Sequence, residues 1–148
     1  MSALPALRGG CHCGNIAVSV GLTRAPQRCQ PRACDCAFCR KHGAAWLSDP
    51  RGALEIHIAD AADLSRYRQG AEIAEMLLCR RCGVLVAAMW QGQTLYGVVN
   101  VSALDAREQF PPAQPVSPQQ LSPEAKVSRW QSIWFPDVRL TGAALPGK

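Results

Sequence analysis

Seven of the eight cysteines in this 148-residue chain fall into three tight groups: Cys11 and Cys13 in GGCHCG, Cys34, Cys36 and Cys39 in CDCAFC, and Cys79 and Cys82 in CRRCG. Such spacings suit zinc, which takes four donors in a tetrahedron and is well served by thiolates at about 2.3 Å. In CRRCG both sulfurs sit on one turn, and Gly83 can take the positive φ that lets the chain leave it. The closer pair Cys11 and Cys13 needs a bent backbone, which Gly10 and Gly14 permit. Each pair supplies half a tetrahedron. The middle group brings three sulfurs from six residues, and three protein ligands with an open fourth position is the arrangement of catalytic zinc, whereas closed four-ligand sites are structural. Spacing alone does not fix which cysteines share an ion. The preferred partition joins the outer pairs, more than 60 residues apart, and leaves the triplet as a site of its own. Four cysteines also suit a rubredoxin-like iron, which colour would reveal.

These groups must be carried by short strands. Alternating or apolar stretches bounded by Gly, Pro, Asp or Gln predict strands over 15–20, 53–59, 73–78, 84–90 and 94–101. Helical signals are weak: one or two turns over 60–67 behind an Asp60 cap, and another turn over 36–42. The stretch FPPAQPVSPQQLSP (110–123) holds five of the eleven prolines, which predicts a wrapping loop with no regular helix or central strand. Beyond it, VSRWQSIWF predicts a last strand or extended segment that buries Trp130 and Trp134.

Composition bounds the class. Hydrophobic residues make up 48% and charged residues 18%, and no run approaches the roughly 18 apolar residues of a membrane span. The length predicts one domain over 1–148, with the proline-rich loop at 110–123 and a C-terminal segment at 124–148 around the cysteine-bearing part of the chain. MSALPALRGG has no basic segment leading into an apolar stretch, so a cytoplasmic location is expected. In that reducing compartment cysteines serve metals or catalysis more often than disulfides. The formal charge of +5 falls to about +2 once seven thiolates hold two zinc ions, and the basic residues are scattered. Neither nucleic acid nor membrane is expected as a partner.

The order GGCHCG, CDCAFCRKHGA, CRRCG resembles the glutathione-dependent formaldehyde-activating enzyme family, over roughly residues 9–104. The resemblance implies a mainly β fold of small coiled sheets around zinc knuckles, similar to the Mss-four-like proteins. It implies two zinc ions per chain: a structural one on Cys11, Cys13, Cys79 and Cys82, and a catalytic one on Cys34, Cys36 and Cys39. The implied activity is that of a carbon-sulfur lyase working in the joining direction, adding glutathione or a similar thiol to formaldehyde or another small carbonyl compound. Family members usually carry Ser and Arg shortly before CxxCG, where this chain reads AEIAEMLLC, and many place a His where Gln119 and Gln120 stand.

Other residues have competing roles. Cys29 is a buried small hydrophobe, a fourth ligand closing the middle site, or a reactive thiol. His57 alternates with Leu54, Ile56 and Ile58 and so faces solvent. His12 and His42 are surface groups or second partners to the sulfurs. Asp35 either shapes a turn or acts as a general base. Arg40 and Lys41 are solvated charges or a positive field for a carboxylate-bearing substrate, and Trp46 is core or cavity wall. The alternative to an enzyme is a zinc module with two structural ions that binds a protein partner, which Cys29 as a ligand would favour.

Overall fold

All five predicted strands form, their ends shifted by one or two residues, in a computed structural model that describes residues 4–68 and 73–142. The chain runs β1 (Leu7–Gly10), β2 (Ile16–Gly21), β3 (Arg32–Cys34), α1 (Ala37–His42), β4 (Trp46–Leu47), β5 (Ala53–Ile58), β6 (Leu64–Arg68), β7 (Glu75–Cys79), β8 (Leu85–Gln91), β9 (Leu95–Asn100), β10 (Gln114–Val116), α2 (Pro123–Ile133) and β11 (Arg139–Thr141). The fold is mainly β, as expected, with a four-stranded sheet β1-β2-β5-β11 and a seven-stranded sheet β10-β3-β4-β9-β8-β7-β6. Among the described residues no helix is long and apolar enough to cross a membrane.

The sheets meet face to face. Ile16, Val18 and Val20 of β2 and Leu54, Ile56 and Ile58 of β5 turn inward by strand alternation and pack with Leu77, Val86, Val99 and Phe135. The large sheet is covered on its other face too, where Met76, Ala88 and Val98 pack with Trp130 and Trp134. Neighbours along a strand thus serve opposite cores: Met76 against Leu77, Val98 against Val99. Burial on both sides explains why β8 reads as the unbroken apolar run LVAAM.

Two expectations are corrected. The segment 60–67 makes only a single 3-10 turn, Ala61–Asp63, capped by Asp60 as foreseen, and then continues as β6. Leu64 to Arg68 pair with β7, and those ladder bonds outweigh the weak helical signal. Trp130 lies on a helix, not a strand, and Trp134 is that helix's C-cap, where the backbone turns extended as expected. Ser122 caps α2 by accepting the Ala125 N–H at 3.1 Å, and Pro123 occupies the first turn, where its missing donor costs nothing. Val127, Trp130 and Trp134 then recur at helical spacing and lay one apolar face on the sheet. The proline-rich stretch is irregular as expected except for β10, an edge strand parallel to β3 that sets Val116 beside Cys34.

Candidate metal centres and the adjoining cavity

The outer cysteine pairs sit in two hairpin turns, β1–β2 and β7–β8, one from each sheet. In the first, the Cys11 N–H donates to Ile16 O (2.9 Å), and Gly14 leaves the turn at φ 90°. In the second, the Cys79 N–H donates to Val84 O (3.0 Å), and Gly83 leaves at φ 81°, the role its sequence position foretold. A β-bulge at Leu77/Leu78 re-aims β7 just before Cys79. The turns face each other, so the sulfurs of Cys11, Cys13, Cys79 and Cys82 all lie within 4.8 Å of one another. Cys11 and Cys13 are 3.8 Å apart and Cys13 and Cys79 3.5 Å. A zinc tetrahedron with bonds of about 2.3 Å has edges of about 3.8 Å. The set therefore fits zinc.

Backbone donors complete the cradle. The Ile16 N–H donates to Cys11 Sγ (3.2 Å), and the Arg81 and Cys82 N–H groups donate to Cys79 Sγ (3.4 and 3.5 Å). Burial pushes the Cys79 thiol up to about 11 against those donors. Burial also acts upward on Cys82, but the backbone N–H groups of Cys13 and Val84 and the thiols of Cys79 and Cys11 outweigh it and hold Cys82 down to about 6. Packed sulfurs that split their acidities so widely are ones a cation would relieve.

The triplet is assembled differently. Cys34 closes β3, Cys36 is the N-cap of α1, and Cys39 lies one turn into that helix, its N–H donating to Cys36 Sγ at 3.4 Å. The helix predicted over 36–42 thus forms and gathers all three sulfurs within 4.8 Å. The Trp46 Nε1–H donates to Cys39 Sγ at 3.4 Å, so Trp46 is both core and cavity wall. A hydrogen bond from Cys39 holds Cys34 down to about 6 despite its burial, and the same bond with burial pushes Cys39 upward. Three soft donors with one thiolate already favoured also fit zinc.

Asp35 serves as a clamp. Its carboxylate accepts from the Ser117 hydroxyl and from Gln119 Nε2 (3.0 Å), and its N–H donates to Val116 O (3.0 Å), which fastens the triplet loop to the proline-rich segment. Cys29 stands apart from the triplet. It is 3% exposed in the core shared by the two sheets, and its thiol donates to Arg24 O and Ala25 O at 3.7 and 3.5 Å. Burial raises its pKa, as befits an inert thiol. Cys29→Ser is expected to keep the metal content of the wild type and to cost about 1 kcal/mol, since a hydroxyl can donate to the same carbonyls. Loss of one metal equivalent in elemental analysis would contradict this placement.

The triplet opens on a cavity of about 510 Å³. Its apolar walls include Trp46 and Val98 of the sheet, Trp130 of α2 and Trp134 at its C-cap, and Ile73, Ala74 and Met76 from the stretch AEIAEMLLC. Three cations also line it: Arg32 of β3 and Lys126 and Arg129 of α2. Arg32 is half-buried and donates to Ser48 Oγ at 2.9 Å; burial, and then the charge of Arg129, lower its pKa to about 10. Sequence reasoning missed all three. Arg32 shares a strand face with Cys34, two residues on, a signal that was available. The residues chosen by adjacency, Arg40 and Lys41, are exposed on the last turn of α1 and do not line the cavity. His12 and His42 are also exposed, His42 resting on the ring of Phe38 at 4.7 Å. His57 faces solvent as expected, 3.0 Å from Thr141 Oγ1.

Over residues 6–119 the chain matches the family described as glutathione-dependent formaldehyde-activating enzyme. A crystal structure of a Rhodobacter sphaeroides protein is similar at a TM-score of 0.57 and 25% identity, covering 74% of this chain and 100% of that one. No curated protein matches the chain.

Proposed function

Because the chain belongs to the glutathione-dependent formaldehyde-activating enzyme family, we propose that it joins a thiol, glutathione or a close relative, to formaldehyde or another small carbonyl compound. The observation that carries this reading is the triplet Cys34, Cys36 and Cys39, three sulfurs within 4.8 Å of one another that line one cavity. In the reaction the sulfur–carbon bond forms as the S–H bond breaks, and the carbonyl oxygen takes up the proton, so an S-hydroxymethyl adduct results with no change of oxidation state. Zinc held by the triplet would supply Lewis acidity, which favours the thiolate over the thiol or polarises the carbonyl group.

The chain's own residues do the positioning. Trp46 holds Cys39 through its indole N–H, the α1 cap fixes Cys36, and Asp35 with Ser117 and Gln119 keeps the loop closed on the proline-rich segment. With both carboxylate oxygens engaged, Asp35 acts as a positioning residue and not as a base. Trp46, Trp130 and Trp134 give the reacting pair apolar walls, and an apolar surrounding strengthens the electrostatic contacts made beside it. The outer cysteine set is proposed to be structural, since it ties one hairpin of each sheet to the other.

A protein-partner module with two closed sites would need a fourth ligand at the triplet. Cys29, the candidate for it, lies in the other core, and the cysteine group at the triplet holds only Cys34, Cys36 and Cys39 among the described residues. The enzyme reading is tested by two-dimensional exchange NMR of formaldehyde and glutathione with and without the zinc-loaded protein. Adduct formation at least about 100-fold above buffer is expected. A rate equal to buffer with two zinc ions bound would overturn it.

A further inference from the structure

The cations around the cavity have no assigned task. Arg32, Lys126 and Arg129 all line it, and among the described residues none of them is paired with an acid. The ion pairs of the described residues use Arg66, Arg68, Arg81 and Arg139 instead. Asp35, the acid inside the triplet loop, is engaged by Ser117 and Gln119. Three positive groups therefore share one concave surface without a described counter-charge. A bound anion would supply it, and a guanidinium presents a fork of donors matched to a carboxylate.

We infer that Arg32, Lys126 and Arg129 form a carboxylate seat in the cavity beside the triplet, so that the preferred thiol is one bearing a carboxylate and α2 sets that preference. The inference rests on the reading of the triplet as the thiol-adding site and names the chemical class of its thiol. Helical spacing puts Lys126, Arg129 and Trp130 on one face of α2, and all three reach the cavity. Arg32 and Cys34 lie on one face of β3 with their Cα atoms about 7 Å apart, so the seat begins beside the metal ligands. A molecule of a few bonds' length, with a sulfur at one end and a carboxylate at the other, can engage both. The cavity's volume of about 510 Å³ is far beyond what formaldehyde alone needs and suits a thiol of short-peptide size. Lys126 and Arg129 lie beyond residue 119, outside the segment matched by the family, so this device belongs to the chain's own C-terminal helix.

The test uses S-methylglutathione, whose thioether carries no ionisable proton, and its dimethyl ester, in which both carboxylates are masked. Binding to the zinc-loaded protein is followed by quenching of the tryptophans that line the cavity. Wild type is expected to bind the acid at least about 10-fold more tightly than the diester, the effect of one charge-assisted hydrogen bond. Arg129→Gln, and more fully Lys126→Gln with Arg129→Gln, should remove most of that preference. Both residues are half-buried on a helix and their replacement should leave the fold intact, which near-ultraviolet circular dichroism checks. Equal binding of acid and diester by wild type, or an undiminished preference in the double variant, would overturn the seat. Its failure is distinct from that of the enzyme reading: a carboxylate preference without rate enhancement removes the reaction and leaves the seat, whereas equal acceleration of neutral and anionic thiols removes the seat and leaves the reaction.

Discussion

Cys79→Ser is expected to abolish the native fold at ordinary temperatures or to lower its melting temperature by at least about 10 °C. Cys79 is 2% exposed, ends β7 at a bulge, and is 3.5 Å from Cys13, the sulfur of a hairpin in the other sheet. A serine hydroxyl preserves the volume but not the soft anionic ligand, so the loss is that of the metal site and not of packing. Structural zinc sites contribute on the order of 10–16 kcal/mol of apparent binding energy at neutral pH, comparable with the whole net stability of about 5–15 kcal/mol of a small protein. Thermal unfolding followed by circular dichroism, with metal content measured in parallel, checks the expectation. A variant that melts within a few degrees of wild type would show that the two sheets hold together without this ion.

Cys36→Ser is expected to behave in the opposite way: a folded protein that has lost one zinc equivalent and at least about 100-fold in the rate of adduct formation. Cys36 lies at the start of α1, and serine is among the best residues at a helix N-cap, so the helix keeps its terminus. The triplet comes from the end of β3 and the start of the helix that follows it, so its loss unties no sheet from another. A shift of no more than a few degrees in melting temperature should accompany the loss of activity. Equal unfolding by Cys36→Ser and Cys79→Ser would refute the division of labour between the two sites.

How much of this was legible depends on what each residue answers to. The cysteines were legible because metal geometry constrains spacing directly: GGCHCG and CRRCG each offer half a tetrahedron, and their pairing, preferred but not fixed by spacing, is the one the structure brings together. Strands such as Ala53–Ile58 were legible because one face is wet and the other dry, and the alternation is written out. α2 was not. Its inward apolar residues Val127 and Trp130, with Trp134 at its C-cap, are few, it follows a run of prolines, and its position is set by packing on a sheet face that no local pattern announces. The cavity's cations were lost with it, since Lys126 and Arg129 become neighbours of Arg32 only through that packing. Arg40 and Lys41 were overrated for the converse reason: adjacency along the chain placed them beside Cys39, while the helical turn carries them outward.

The triplet, with its three sulfur ligands, is proposed to hold the ion on which the reaction depends. The most direct measurement is stepwise chelation of the two-zinc protein, with native mass spectrometry reporting zinc content and exchange NMR reporting the rate on the same samples. The first zinc is expected to leave from a protein that stays folded and to take the whole rate enhancement with it, while the second leaves only as the fold melts. A rate that persists in the one-zinc protein, or two ions that leave together with unfolding, would contradict it.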